Sequence, residues 1–197
     1  MKTSIISFVF FLAAATLLQA QTKKELTGTL NRDLVGYQNA TNNLNFDSMM
    51  FYMPPAMFDL LPKDSMIASI RKAFDNEYFN MVMGGYKYTK IPKPKKAGNY
   101  HCSLIGYEGF ITLTYKSESP ANAMMGSMMK TQFGKENVED LADKKGLKIY
   151  LKNKKMIAFK APDVNHWYIV EDKRQEKESM MMDLIIPKEV LKVIGKK

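Results

Sequence analysis

The stretch from Phe46 to Phe74 begins as an apolar helical run, breaks at Pro54-Pro55, and restarts as a second amphipathic helix. Neither proline has an N–H to donate, both fix φ, and Pro55 also pushes Pro54 out of the α region. A helix through Asp47–Met53 must therefore stop. Pro62 suits a first helical position, and Asp64 falls in the first turn, where the helix dipole favours negative charge. Met66, Ile67, Ile70 and Phe74 follow at helical spacing, with Lys63, Arg71 and Lys72 left for solvent. At about Tyr78 the apolar period changes from 3.6 to 2, so a helical lid must hand over to a sheet.

Upstream, Leu26, Leu30, Leu34 and Tyr37 predict a first helix from about Lys23 to Asn42. Asn39-Ala40-Thr41 matches a glycosylation acceptor but lies on that helix, which argues against its use. Downstream, Phe79, Met81 and Met83 alternate, Gly84-Gly85 interrupts, and Tyr86 and Tyr88 resume. A glycine pair inside a strand pattern indicates a bulge or bend. Pro92–Asn99 reads as a Lys/Pro/Gly loop. Tyr100–Tyr107 and Gly109–Tyr115 read as two strands, or as one interrupted near Gly106–Gly109. Ala121–Phe133 returns to helix, with Met125, Met128, Met129 and Phe133 on one stripe and Gly134 as its stop. Leu147, Ile149 and Leu151 alternate with polar partners, Asn153–Lys155 reads as a turn, Met156–Ala161 runs back, and His166–Glu171 follows. Pro187 opens a short helix over Lys188–Ile194.

Lys2 followed by the apolar core Ile5–Leu18 and polar Gln21-Thr22-Lys23 reads as a secretory signal, with cleavage after Ala20 and a secreted or periplasmic product. The apolar run falls short of the ~20 residues of a membrane span, and no other stretch could serve as one. Residues 21–197 then form one domain. The chain carries a net charge of +9. Much of the excess sits in turns such as Lys90–Lys96, which could meet anionic envelope polymers or lipid headgroups but more simply keeps a secreted protein soluble. No nucleic-acid motif accompanies it. Cys102 is the single cysteine, so no intrachain disulfide exists, and its spacing from Tyr100 and Leu104 places it on a buried strand.

The order of elements, with Tyr52-Met53-Pro54-Pro55, Pro62–Ile70, Trp167-Tyr168-Ile169 and Ile186–Val190, resembles the nuclear-transport-factor-2-like, or cystatin-like cone, superfamily, in particular secreted bacterial members without assigned activity. The resemblance implies an α+β fold. A strongly curved antiparallel sheet would wrap against N-terminal helices as a cone-shaped barrel with an apolar pocket. Some enzymes of that fold carry an Asp or an Asp–His pair inside the cone. Here His101 and His166 show no acid/base pattern, and Asp47 and Asp59 fall on the lid.

The pocket candidates are Tyr37, Tyr52, Phe58, Met83, Tyr88, Tyr115 and Trp167, apolar bodies several of which bear a polar tip. The chain has 16 methionines, dense at Met124–Met129 and Met180–Met182. Thioethers can select Cu(I), but Met mixed with an aromatic along a helical stripe reads as core. No metal, cofactor or catalytic residue is expected. Three functions stand in order: a module binding a small apolar or amphipathic ligand in the cone; an envelope interaction module, with a homodimer as one form; and a small isomerase- or dehydratase-like enzyme.

Overall fold

In the computed structural model of the chain the described residues are 24–142, 145–174 and 179–195. The expected signal sequence lies outside them. Helix α1 spans 24–42, and its buried stripe is Leu30 and Leu34, with Leu26 and Tyr37 packed beside them. It ends with Asn45 N–H on Ala40 O and Leu44 N–H on Thr41 O. Leu44 sits at φ +50, where glycine is usual. A leucine is held there because its side chain packs into the cluster of Phe46, Met50 and Ile67.

Helix α2 (Phe46–Phe51) starts at Asn45, whose side chain caps the Ser48 N–H. It stops before the proline pair, as expected. A short α3 (Ala56–Leu60) follows, because Pro55 at φ −53 starts a new helix as readily as it ends the old one. Helix α4 (Lys63–Phe74) begins behind Pro62 and returns Phe74 to Phe46 at 5.5 Å between ring centroids.

The strands of the described residues form one six-stranded, wholly antiparallel sheet: β1 (Phe79–Lys90), β2 (Lys95–Ala97), β3 (Tyr100–Tyr115), β4 (Val138–Asp140), β5 (Gly146–Lys160) and β6 (Tyr168–Glu171). The strand order is β1-β3-β5-β4, with β2 also on β3 and β6 also on β5. The outer strands do not pair with one another, so the sheet is open and the expected barrel closure is absent. Helix α5 (Pro120–Phe133) links β3 to β4 through a 3-10 turn over Lys135–Asn137; α6 (Ser179–Ile185) and α7 (Lys188–Ile194) end the chain.

The sheet bends along one line. Strand β3 is continuous, but both neighbours carry one extra residue at the same level. On β1, Gly84 pairs Phe110 and Lys87 pairs Glu108. On β5, Leu151 pairs Gly109 and Lys154 pairs Tyr107. Gly85 at φ +59 and Asn153 at φ +53 supply the left-handed residues. An extra residue flips the facing of every side chain beyond it. Hence Phe79, Met81 and Met83 share an inner face with Tyr86 and Tyr88, and Leu147, Ile149 and Leu151 share it with Met156 and Ala158. The expected turn at Asn153–Lys155 is therefore a bulge, since residues on both sides of it pair with the same strand. The expected loop over Pro92–Asn99 holds β2, closed on β3 by a tight turn with Gly98 at φ +62.

Helix α1 covers the inner face on one side of the bend, and α5 covers it on the other through Met125, Met129 and Phe133. Met128 is half exposed, so the stripe is narrower than its spacing implied. Helices α6 and α7 cover the outer face behind Cys102, Ile157, Phe159, Tyr168 and Val170. That is why Met156–Phe159 is buried on consecutive residues. The other half of the outer face stays open, with the Lys148 ammonium 4.3 Å over the Phe110 ring. The edge of β6 is closed by the broken-helix segment, where Tyr52 O accepts the Ile169 N–H at 2.7 Å. Among the described residues no helix is long and apolar enough to cross a membrane.

A Cβ on Gly85 would lie 2.7 Å from the Phe110 ring as well as sitting at positive φ. Gly85→Ala should cost about 1–2 kcal/mol and lower the Tm by roughly 3–6 °C. Asn153→Gly should leave it unchanged within about 1–2 °C. Thermal unfolding of both variants checks the bend, and an unaffected Gly85→Ala would show that the left-handed residue is dispensable.

Candidate functional site

Helix α1 is tied to the start of β6 by polar residues flanking its apolar stripe. The Thr29 hydroxyl accepts the Trp167 indole N–H at 3.1 Å and donates to Leu26 O. Asp33 is only 4% exposed; one oxygen accepts the Trp167 backbone N–H at 2.9 Å and the other accepts Arg32 Nε at 2.8 Å. Arg32 also donates to Asn165 O at 3.0 Å. The buried carboxylate thus has both oxygens bonded, one to the backbone of a fully buried tryptophan and one to Arg32.

Further along α1 the partner is β1. Gln38 donates to Tyr86 O at 2.6 Å, and the Tyr88 hydroxyl donates to Leu34 O at 2.6 Å. Between helix and sheet the tyrosines meet. Tyr86 stacks on Tyr107 at 5.0 Å and meets Tyr88 edge-on at 5.6 Å; Tyr37 lies edge-on to Tyr52 at 5.9 Å. The Tyr107 hydroxyl donates to Glu171 Oε1 at 2.9 Å, and the Tyr86 hydroxyl points to Met156 Sδ at 3.7 Å.

Burial and the Glu171 charge push the Tyr37 phenol up to about 12, and a contact with the Thr41 hydroxyl pulls weakly the other way. Burial, then the neighbouring phenols, raise Tyr86 further. Burial and Tyr37 raise Tyr88. The interior is therefore lined by neutral phenols that can donate a hydrogen bond but cannot give up a proton near neutral pH.

Five predicted pocket residues, Tyr37, Tyr52, Met83, Tyr88 and Trp167, converge on this interior. The other two lie elsewhere. Phe58 packs beneath the lid beside Phe46, Met50 and Ile67, because α3 turns it back onto α2 and α4. Tyr115 lies beyond the bend under α5, its hydroxyl donating to Asn122 O at 3.0 Å. The sequence reading missed Asp33, Tyr107 and Glu171 as members of the site. Asp33 was visible as the residue four beyond Thr29 on the flank of the stripe, but its partner, a backbone N–H, has no sequence signature.

The two histidines sit apart. His101 pairs in register with Lys160 and Lys96. His166 lies 4.2 Å from the Phe51 ring and 4.9 Å from Tyr168, with a buried Nε2 that has no hydrogen-bond partner. Burial lowers its pKa; Lys160 and Arg32 add to this, and Asp33 and a bond to the Phe51 backbone oppose it. Burial likewise raises the thiol pKa of Cys102, which is fully buried. Among the described residues no three His, Cys, Asp or Glu side chains gather as a metal site.

Two cavities open around this frame. One, of about 340 Å³, lies between α1 and α2, lined by Asn39, Asn43, Asn45, Ser48, Phe51 and Tyr52 over Gly36 and Ala40. The other, of about 860 Å³, lies beside α5 at the end of the sheet. Its lining includes Tyr115, Lys116, Ser119, Asn122, Ala123, Gly126, Lys130, Asp140 and Lys145. Lys130 pairs with Asp140 at 2.7 Å and Lys116 with Asp75. Lys145 has no ion-pair partner among the described residues.

Asp33→Ala should strip the Trp167 N–H of its partner in a dry site and cost roughly 2–3 kcal/mol in denaturant unfolding. A loss under about 0.5 kcal/mol would show that water replaces the carboxylate. His166, lowered in the folded state, takes its proton first in the unfolded chain. Stability should therefore hold above the ordinary value of 6.5 and fall as pH drops through it toward the folded value. His101 is lowered too, by burial and then Lys96, and acts with the same sign. Melting curves between about pH 7.5 and 5.5 should show this drop, and His166→Phe should shrink it while keeping the stack. An equal drop in the variant would sink the assignment.

The chain matches no protein-family model, no curated protein and no solved structure.

Proposed function

We propose that the protein is a secreted or periplasmic, non-catalytic binding module with the nuclear-transport-factor-2-like arrangement of helices over one face of a bent sheet. Its ligand is a small amphipathic molecule with an anionic group. The leader-like residues 1–20 support export. Helices α1 and α5 on a common inner face support the arrangement.

The ligand's place is the cavity beside α5 rather than the tyrosine interior, whose rings stack against one another. The observation that carries the reading is the division of that cavity. Tyr115, Ala123 and Gly126 offer apolar surface, and the same lining carries three lysines, Lys116, Lys130 and Lys145, against two acids, Glu118 and Asp140. Lys116 and Lys130 already have acidic partners, Asp75 and Asp140, and Lys145 is the lysine of the lining with no ion-pair partner among the described residues. The volume of about 860 Å³ suits a molecule of several rings or a short acyl chain. The buried carboxylate Asp33 has both oxygens bonded and faces neither histidine through a hydrogen bond, which supports binding over acid/base chemistry.

The test uses anilinonaphthalenesulfonate, an anionic amphiphile, with the folded protein. Fluorescence should rise on 1:1 binding. Lys145→Glu should weaken binding about fivefold or more, the loss of one favourable charge contact. Ala123→Phe, which fills the cavity from α5, should abolish the enhancement. Absent enhancement, or equal affinity in both variants, would overturn the proposal.

A further inference from the structure

The smaller cavity has a different chemistry. All the residues that line the cleft between α1 and α2 are uncharged, in a chain in which 25% of residues are charged. One wall is the amide-bearing end of α1, Asn39 and Asn43; the other is Asn45 and Ser48 at the start of α2. These polar groups are only partly used by the fold. Asn43 donates to Asn39 O at 2.8 Å, and Asn45 Oδ1 accepts the Ser48 N–H at 3.0 Å. That leaves Asn43 Oδ1, Asn45 Nδ2, the Asn39 amide and the Ser48 hydroxyl without partners among the described residues.

The free groups therefore include donors and acceptors side by side, and none is ionised. A hydroxyl, which both donates and accepts, satisfies such a set. An ionic ligand would lose hydration there without meeting a countercharge. A wholly apolar ligand would leave the amides unpaired.

The remaining wall is aromatic and fixed. Phe51 is 56% exposed, yet its ring is backed by His166 at 4.2 Å and a 31° interplanar angle, and met edge-on by Tyr52 at 5.1 Å. Tyr52 in turn rests on Gly36, where a Cβ would come within 2.0 Å of its hydroxyl oxygen. A rigid ring face with negative quadrupole attracts C–H groups. A molecule presenting C–H on one side and hydroxyls around its rim fits both walls. The volume of about 340 Å³ leaves room for one such ring, not a chain of them.

We propose that the α1/α2 cleft is a binding site for a single uncharged sugar-sized polyol ring, stacked on Phe51 and hydrogen-bonded by Asn39, Asn43, Asn45 and Ser48. It is separate from the cavity beside α5, and neither site requires the other.

Saturation-transfer NMR on the full chain tests it, with glucose and N-acetylglucosamine as neutral probes and glucuronate as the charged control. Both or one of the neutral sugars should saturate with Kd of roughly 1–10 mM, as expected for a small open site. Glucuronate should bind at least about tenfold more weakly. Asn39→Ala, at an exposed helix position, should weaken the neutral sugar about fivefold or more with unchanged Tm. Phe51→Leu should do the same, and Lys145→Glu should not. No saturation by either neutral sugar overturns the proposal. So does equal binding of glucuronate, or affinity that survives both Asn39→Ala and Phe51→Leu.

Discussion

The continuity of β3 is the constraint on which the rest of the molecule depends. A long unbroken central strand does not by itself bend a sheet, but two neighbours that carry an extra residue at the same level must buckle beside it. Gly85 and Asn153 take up the excess at the same level on either side. The inner face is thereby divided into two shallow halves, each small enough to be covered by one helix. Helix α1 lies on one half and α5 on the other. The Phe110 ring lies against Gly84 and Gly85 on the opposite face, in space that any side chain at those two positions would occupy. The bend and the ring that covers it are one device.

Edges explain why the sheet stops short of closing. The sheet ends at β1 and β2 on one side and at β4 and β6 on the other. Instead of meeting a strand of the opposite edge, β6 receives Tyr52 O, where the chain has left helix just before the proline pair. The broken-helix segment then passes round that edge, so Tyr52 packs on the inner face while Met57 packs on the outer one against the α6 and α7 layer. A polar ladder group that would otherwise invite another strand is occupied by the chain itself. Asp33 and Thr29 fix α1 to the residue just before the same strand.

Much of this was legible in the sequence. The change of parity from Phe79, Met81 and Met83 to Tyr86 and Tyr88 marks a one-residue insertion, and the glycines between them say where it sits. The helix break at Pro54-Pro55 and the start behind Pro62 rest on proline stereochemistry and appear as expected. Asn153 misled because a left-handed residue serves a reversal and a bulge equally well. What separates the two is whether Met156 and Ala158 return to β3, a long-range pairing that local pattern does not carry. Helix α3 was missed because it is too short for periodicity to register. Tyr115 shares a face with the interior aromatics, and face alone does not reveal on which side of the bend a residue lies.

The same division governs where a ligand can go. Phenols whose pKa is raised first by burial occupy the space between α1 and the sheet, Tyr86 stacked on Tyr107. Among the described residues, two openings lie where a helix runs off its half of the sheet. At the start of α5 the margin is charged, with Lys116, Lys130 and Lys145 beside Glu118 and Asp140, because the end of β3 and Lys145 reach solvent there. At the end of α1 the margin is neutral, because amides and a hydroxyl serve as caps and stops for two successive helices without adding charge. Opposite chemistry in the two openings thus follows from how each helix ends, and the filled interior between them keeps the two apart.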